Sequence, residues 1–328
     1  MQLRFTRMVV LVAGLGFAAA GCGKYSISNI RSLKAFNDGI ELYQKADYRG
    51  ASADFERAIQ FNPDWGFSYF YLGNSYDKLY KPAKKGDPEN DAYLPKAVEN
   101  YRQAIDKLTN STEAKAPQFR KLSYEYLIAA YGADRLNDFP KAEATAKELI
   151  AAEPDNPGNY QALARLYSDQ GRFDDAEAML QKSIEVKPND PVGYQLLAAF
   201  YNDQGEFQKM MDAFQKRADM EPNNPEAWHT MGTYYYDEAL RDKRLTAAQA
   251  KDYVQKGIDV EDKALALNND YYEAITFKSM LLKLSANLEK NPAKQKALLA
   301  QAEDLAARSE QLHKEQQGAA AKGGQATK

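Results

Sequence analysis

A 34-residue period is the strongest constraint on what this chain can fold into. Asp155-Asn156-Pro157 leads into Tyr160, Leu163, Ala164 and Tyr167, then Gly171, Phe173, Ala176, Leu180 and Pro188. Asn189-Asp190-Pro191 leads into Tyr194, Leu197, Ala198 and Tyr201, then Gly205, Phe207, Phe214 and Pro222. A third copy opens at Asn223-Asn224-Pro225 with Trp228, Met231, Gly232 and Tyr235. Within each copy apolar and small residues recur three and four positions apart, the spacing of one helix face. Gly171 and Gly205 allow a tight turn, and Pro188 and Pro222 end the second segment, so each copy reads as two antiparallel helices. Such a unit cannot bury its apolar stripe alone and gains a core by stacking on its neighbours.

The pattern W/Y-x-x-L-G/A-x-x-Y, followed by a small residue, an aromatic and a Pro at this period, resembles the tetratricopeptide repeat. The resemblance implies an all-α solenoid of about six to seven helix-turn-helix units, forming a right-handed superhelix with a C-terminal capping helix. The units fall at about 32–65, 66–111, 116–156, 157–190, 191–224, 225–271 and 272–317. Two are interrupted: residues 80–93, with Pro82, Gly86 and Pro88, read as an inserted loop, and about 240–252 as further inserted residues. Asn110-Ser111-Thr112-Glu113 reads as a helix-start signal, and 272–284 as a first helix lacking the motif's aromatics. Residues 293–317 suit a capping helix with one polar face, and the Gly/Ala/Lys-rich 318–328 a disordered tail.

The N-terminus carries a different signal. Arg4 and Arg7 precede an apolar or small run from Met8 to Gly21, too short to span a bilayer but suited to a signal peptide. The run ends in Ala19-Ala20-Gly21-Cys22, which resembles a bacterial lipobox. That resemblance implies removal of 1–21, lipidation of Cys22 as first mature residue, and a short tether over 22–31. Gly23 rather than Asp follows the Cys. The expected location is therefore a lipid anchor on a bacterial membrane, the outer membrane facing the periplasm.

Composition narrows the chemistry. With 43 Lys and Arg against 46 Asp and Glu the net charge is −3, so no basic excess points to nucleic acid. One Cys excludes an internal disulfide, and two His exclude a His-rich metal site. Neither G-x-x-x-x-G-K-[ST] nor G-x-S-x-G, C-x-x-C or H-E-x-x-H occurs. The reading is of a protein that is not an enzyme, needs no cofactor or metal, and binds other proteins.

By the same resemblance, fixed positions of each first helix face an inner groove. Here these are Phe36, Phe67, Phe70 and Asn74; Gln161, Arg165 and Asp169; Gln195, Asn202 and Asp203; and His229, Tyr236 and Asp237. Asp169, Asp203 and Asp237 recur at the repeat period and would form a carboxylate ladder, suited to a partner with basic or amide-donor groups. Phe36, Phe67 and Phe70 would form an aromatic patch. The function implied is a scaffold for a cell-envelope complex; the alternative is an envelope protein binding a peptide or glycan in that patch. His229 beside Trp228 reads as a pH-sensitive contact or a partly exposed polar residue.

Overall fold

Asn156, Asp190 and Asn224 each stand just before a Pro, and each begins a helix. Their side chains accept the backbone N–H of Gly158 (3.1 Å), Val192 (3.1 Å) and Glu226 (3.0 Å), and the Pro at the next position needs no partner for its missing donor. Such a cap is worth about 1 kcal/mol. The computed structural model describes residues 26–323, with side chains through 318. Among them every regular element is helical, and the helices follow one another as antiparallel pairs. Two compact units divide between Leu149 and Ile150.

The first unit contains α1 (Ile27–Gln44), α2 (Tyr48–Phe61), α3 (Gly66–Leu79), α4 (Pro88–Asp91), α5 (Tyr93–Thr109) and α6 (Ala116–Ala130). Helix α1 packs on α2, α2 on α3, α3 on α5 and α5 on α6. Its core is aromatic: Phe55, Phe67, Phe70, Tyr76 and Tyr101 are buried. Helix α7 (Phe139–Ala152) comes next and carries the chain across the division.

The second unit contains α8 (Pro157–Asp169), α9 (Phe173–Val186), α10 (Pro191–Asp203), α11 (Phe207–Met220), α12 (Pro225–Arg241), α13 (Ala247–Leu267), α14 (Tyr272–Leu288) and α15 (Pro292–Gly323). Each packs on the next through this series. Gly171 and Gly205 close α8 and α10 with φ of 70° and 71°, which a side chain would oppose. Val254, Ile258, Leu281, Leu282 and Ala302 form a core shared by α13, α14 and α15. Ser279 donates to the Ala302 carbonyl at 2.7 Å and Ser309 to that of Tyr272 at 3.0 Å, seating α15 by its small residues while its other faces stay exposed.

Five local expectations change. The tether expected through residue 31 is helical from Ile27, because Ser26 caps α1 by accepting the Asn29 N–H at 3.1 Å and Ser32 bonds the Ala58 carbonyl at 2.8 Å. The insertion at 80–93 is not plain loop: Pro82–Lys84 forms a 3-10 turn, and Asp87 caps α4. Asn110–Glu113 caps nothing; α6 starts at Ala116, where Pro117 presets the first turn. The extra residues at 240–252 lengthen α12 to Arg241 and start α13 at Ala247, leaving a turn of five residues at 242–246, since Thr246 and Gln249 build a capping box that starts α13. The last helix runs to Gly323 rather than 317, because Ala319-Ala320-Ala321-Lys322 favours helix enough to outweigh Gly318 at about 1 kcal/mol. Residues 1–25, with the signal segment and Cys22, and residues 324–328 lie outside the described region.

Candidate functional site

In the first unit the expected groove residues are packing residues. Phe67 and Phe70 both meet Phe119 of α6, at centroid distances of 5.0 and 4.9 Å, and Phe70 also meets Tyr126 at 5.9 Å. Phe36 lies 4.5 Å from Trp65, 5.4 Å from Tyr71 and 5.5 Å from Phe55. These rings stack in the tilted and edge-on arrangements that aromatic quadrupoles favour. With Phe67 and Phe70 buried, the aromatic patch is interior, and the peptide or glycan reading built on it loses its support. Asn74 is buried too, accepting from the Tyr43 hydroxyl.

Polar groups lie beneath that surface. Asp77 is buried and paired with Arg135; burial pushes its carboxyl above the ordinary range, and Arg135 opposes the shift. Tyr101 is fully buried, its hydroxyl without a hydrogen-bond partner, and burial drives its phenol far upward. The Tyr101 ring stacks on Tyr126 at 5.6 Å.

In the second unit, α8 and α10 do present side chains to solvent. Arg165, Asp169, Gln195, Asn202 and Asp203 are all exposed. Gln161 is half-buried and donates to the Ser183 hydroxyl at 2.9 Å, so it braces α8 against α9. Helix α10 carries a mixed face: Val192 is 49% and Leu196 37% exposed, and they share a stripe with Ala199 and Asp203, flanked by Gln195 and Asn202. Asp169 and Asp203 are the last residues of α8 and α10. An acid there faces the negative helix end at a cost of about 0.3–1 kcal/mol, so neither placement serves local stability. The third rung differs. The lengthening of α12 puts Asp237 inside the helix, where it pairs with Arg241 at 3.5 Å. The ladder therefore has two exposed end-of-helix rungs and one that is internally paired.

His229 and Tyr236 are not groove residues of the same kind. Tyr236 packs on the α13–α15 core and sits 5.8 Å from Phe277. His229 is nearly buried, its Nδ1 3.0 and 3.1 Å from the two carboxylate oxygens of Glu261, which is fully buried. Tyr271 and Phe277 meet the imidazole at 5.1 and 5.3 Å. Burial pushes the Glu261 carboxyl up to about 7, against the lowering effect of His229. Gly232 makes room, since a Cβ there would overlap Glu261 Oε1. The sequence held a signal for this pair. Val254, Gly257, Ile258, Glu261 and Ala264 form one buried stripe of α13, with a carboxylate standing where an apolar residue belongs.

Among the described residues no three His, Cys, Asp or Glu side chains come together as a metal site, and no helix is long and apolar enough to cross a membrane. Comparison with curated protein sequences returned no match. The chain is similar in structure to the C-terminal part of a TPR repeat-containing protein from Cytophaga hutchinsonii, at 17% identity over 82% of this chain and 95% of that one, with a TM-score of 0.49. It is similar to a fragment of MamA from Desulfovibrio magneticus, at 14% identity over 63% and 99% of the two chains, with a TM-score of 0.39. It is also similar to PilW, described as a type IV pilus biogenesis factor, at 22% identity over 76% and 96%, with a TM-score of 0.38. The tetratricopeptide-repeat family profile matches residues 135–200, which take in the most regular hairpin, α8–α9, and most of α10. That match marks residues 135–200 as tetratricopeptide repeat, within the series of helix pairs described above.

Proposed function

We propose that this protein is a lipid-anchored scaffold of the bacterial cell envelope, holding a protein partner on the exposed faces of α8 and α10. The observation that carries the reading is the α10 face. Val192, Leu196 and Ala199 are left uncovered, and Gln195, Asn202 and Asp203 lie alongside them. An apolar strip bordered by amides and a carboxylate can take an extended or helical peptide segment, burying its apolar side chains while the polar rim fixes register. Asp169 and Asp203, set at helix ends where they stabilise nothing locally, give the strip an acidic border that favours a partner with Lys, Arg or amide donors.

The anchor in this proposal is Cys22, following the h-region and Ala19-Ala20-Gly21. Lipid chains contribute about 0.8 kcal/mol per buried CH₂, so several chains on one Cys hold a soluble domain at a membrane without a spanning segment. Gly23 in place of an acid favours the outer membrane, with the domain in the periplasm. Radioactive palmitate should label the protein in cells, and Cys22→Ala should abolish the label; label persisting in that variant refutes the anchor. Crosslinking in membranes followed by recovery of the protein should return a protein partner that Asp169→Lys with Asp203→Lys no longer captures. A partner retained in full by that variant refutes the site.

A further inference from the structure

Helix α1 begins five positions after Cys22, and its first two turns are apolar on the outside. Ile27 is 71% exposed, Ile30 58% and Leu33 46%, all on one flank of the helix. Farther along the same flank the exposed residues become Asn37 and Glu41. The uncovered apolar surface is thus confined to the end of α1 nearest the anchor. A terminal repeat ordinarily keeps a polar outer face, because no neighbour covers it.

Charge changes over the same stretch. Residues 22–37 contain Lys24, Arg31 and Lys34 and no Asp or Glu, in a chain where acids otherwise outnumber bases. Arg31 and Lys34 are exposed and stand one turn beyond Ile27 and Ile30, Arg31 with its guanidinium 5.9 Å from the Phe61 ring. Apolar side chains bordered by cations are the pattern of a helix that rests in the headgroup layer of an anionic membrane. Reach points to the same place. Five residues span at most about 17 Å, so a lipid on Cys22 holds Ile27 within that distance of the bilayer surface.

We propose that the first two turns of α1 are a second membrane contact: Ile27, Ile30 and Leu33 enter the headgroup region of an anionic phospholipid bilayer, with Arg31 and Lys34 on lipid phosphates. This rests on Cys22 being the anchor. The contact fixes how the first repeat meets the membrane.

The test separates the two ideas by attaching the lipid chemically. The mature chain, from residue 22, is coupled through its single Cys to maleimide phospholipid in vesicles of phosphatidylethanolamine and phosphatidylglycerol with brominated acyl chains. Ile30→Trp and, as a control farther along α1, Glu41→Trp are compared with the parent chain, whose Trp65 and Trp228 set the background. The added Trp at position 30 should lose roughly half its emission to bromine, and that at position 41 little; replacing Arg31 and Lys34 with Gln, or omitting phosphatidylglycerol, should weaken the quenching severalfold. Equal quenching at positions 30 and 41, or none at 30 with coupling complete and helicity intact by circular dichroism, overturns the proposal. So does a lipid-free chain that sediments as a dimer in which the position-30 emission is already shifted to the blue, since a second copy would then cover the face. Because coupling is synthetic, none of these results depends on whether cells lipidate Cys22, which palmitate labelling reports separately.

Discussion

Glu261→Gln is the substitution whose effect the structure specifies most fully. The carboxyl is fully buried against His229 and is raised from 4.5 to about 7, burial being the main cause. The folded state therefore holds this proton more tightly than the unfolded chain does. Its contribution to stability is complete below the unfolded value, falls as pH rises, and is gone once pH passes about 7. At about 1.36 kcal/mol per pKa unit, that separation corresponds to about 3 kcal/mol of stability lost across the window. Gln keeps the neutral shape at every pH, so the variant lacks this slope. Urea unfolding followed through Trp228, in the same helix as His229 and stacked under Lys263 at 4.2 Å, reports on this region. The parent's stability relative to the variant should decline by about 3 kcal/mol between pH 4.5 and pH 8. His229→Gln measured in parallel isolates what the imidazole contributes to the pair. A parent-minus-variant difference that is flat, or that rises with pH, would refute the buried raised carboxyl.

Three further perturbations come from the packing. Gly232→Ala should displace Glu261 and cost about 1–3 kcal/mol in thermal unfolding, because its Cβ overlaps the carboxylate. Phe70→Ala should cost about 3–5 kcal/mol, the loss of a buried ring, where an exposed groove residue would cost little; a calorimetric scan distinguishes them. Tyr101→Phe removes a buried hydroxyl that has no partner, so chemical denaturation should find stability unchanged or raised by about 1 kcal/mol.

The repeat was legible because its signals are local. Capping Asn or Asp, N1 Pro, turn Gly and three-four apolar spacing all act within one unit, and the helices from α8 to α11 lie where those residues place them. What escaped depends on distant neighbours. Phe67 and Phe70 occupy first-helix positions that an inner groove would use, yet Phe119 of α6 arrives to cover both. Nothing within their own repeat announces that ring. Asp237 kept the period of Asp169 and Asp203 but not their setting, because α12 continues to Arg241 and supplies a partner within the helix. Glu261 was the converse case. Its position in an apolar stripe was visible, but its link to His229 crosses from α12 to α13 at a spacing that no helical period predicts. Of the expected groove residues, Arg165, Asp169, Gln195, Asn202 and Asp203 of α8 and α10 are the ones that stay exposed.

The central claim is that the α8 and α10 faces hold a protein partner, and site-specific photo-crosslinking tests it most directly. A photoreactive residue at Gln195 or Asn202 of α10, or Arg165 of α8, should join the protein in living cells to one partner of defined mass. The same residue at Gln208 or Lys216, exposed on α11, should not. Crosslinks of equal yield from α11, or none from α8 and α10 in cells where the protein is at the membrane, would contradict the account.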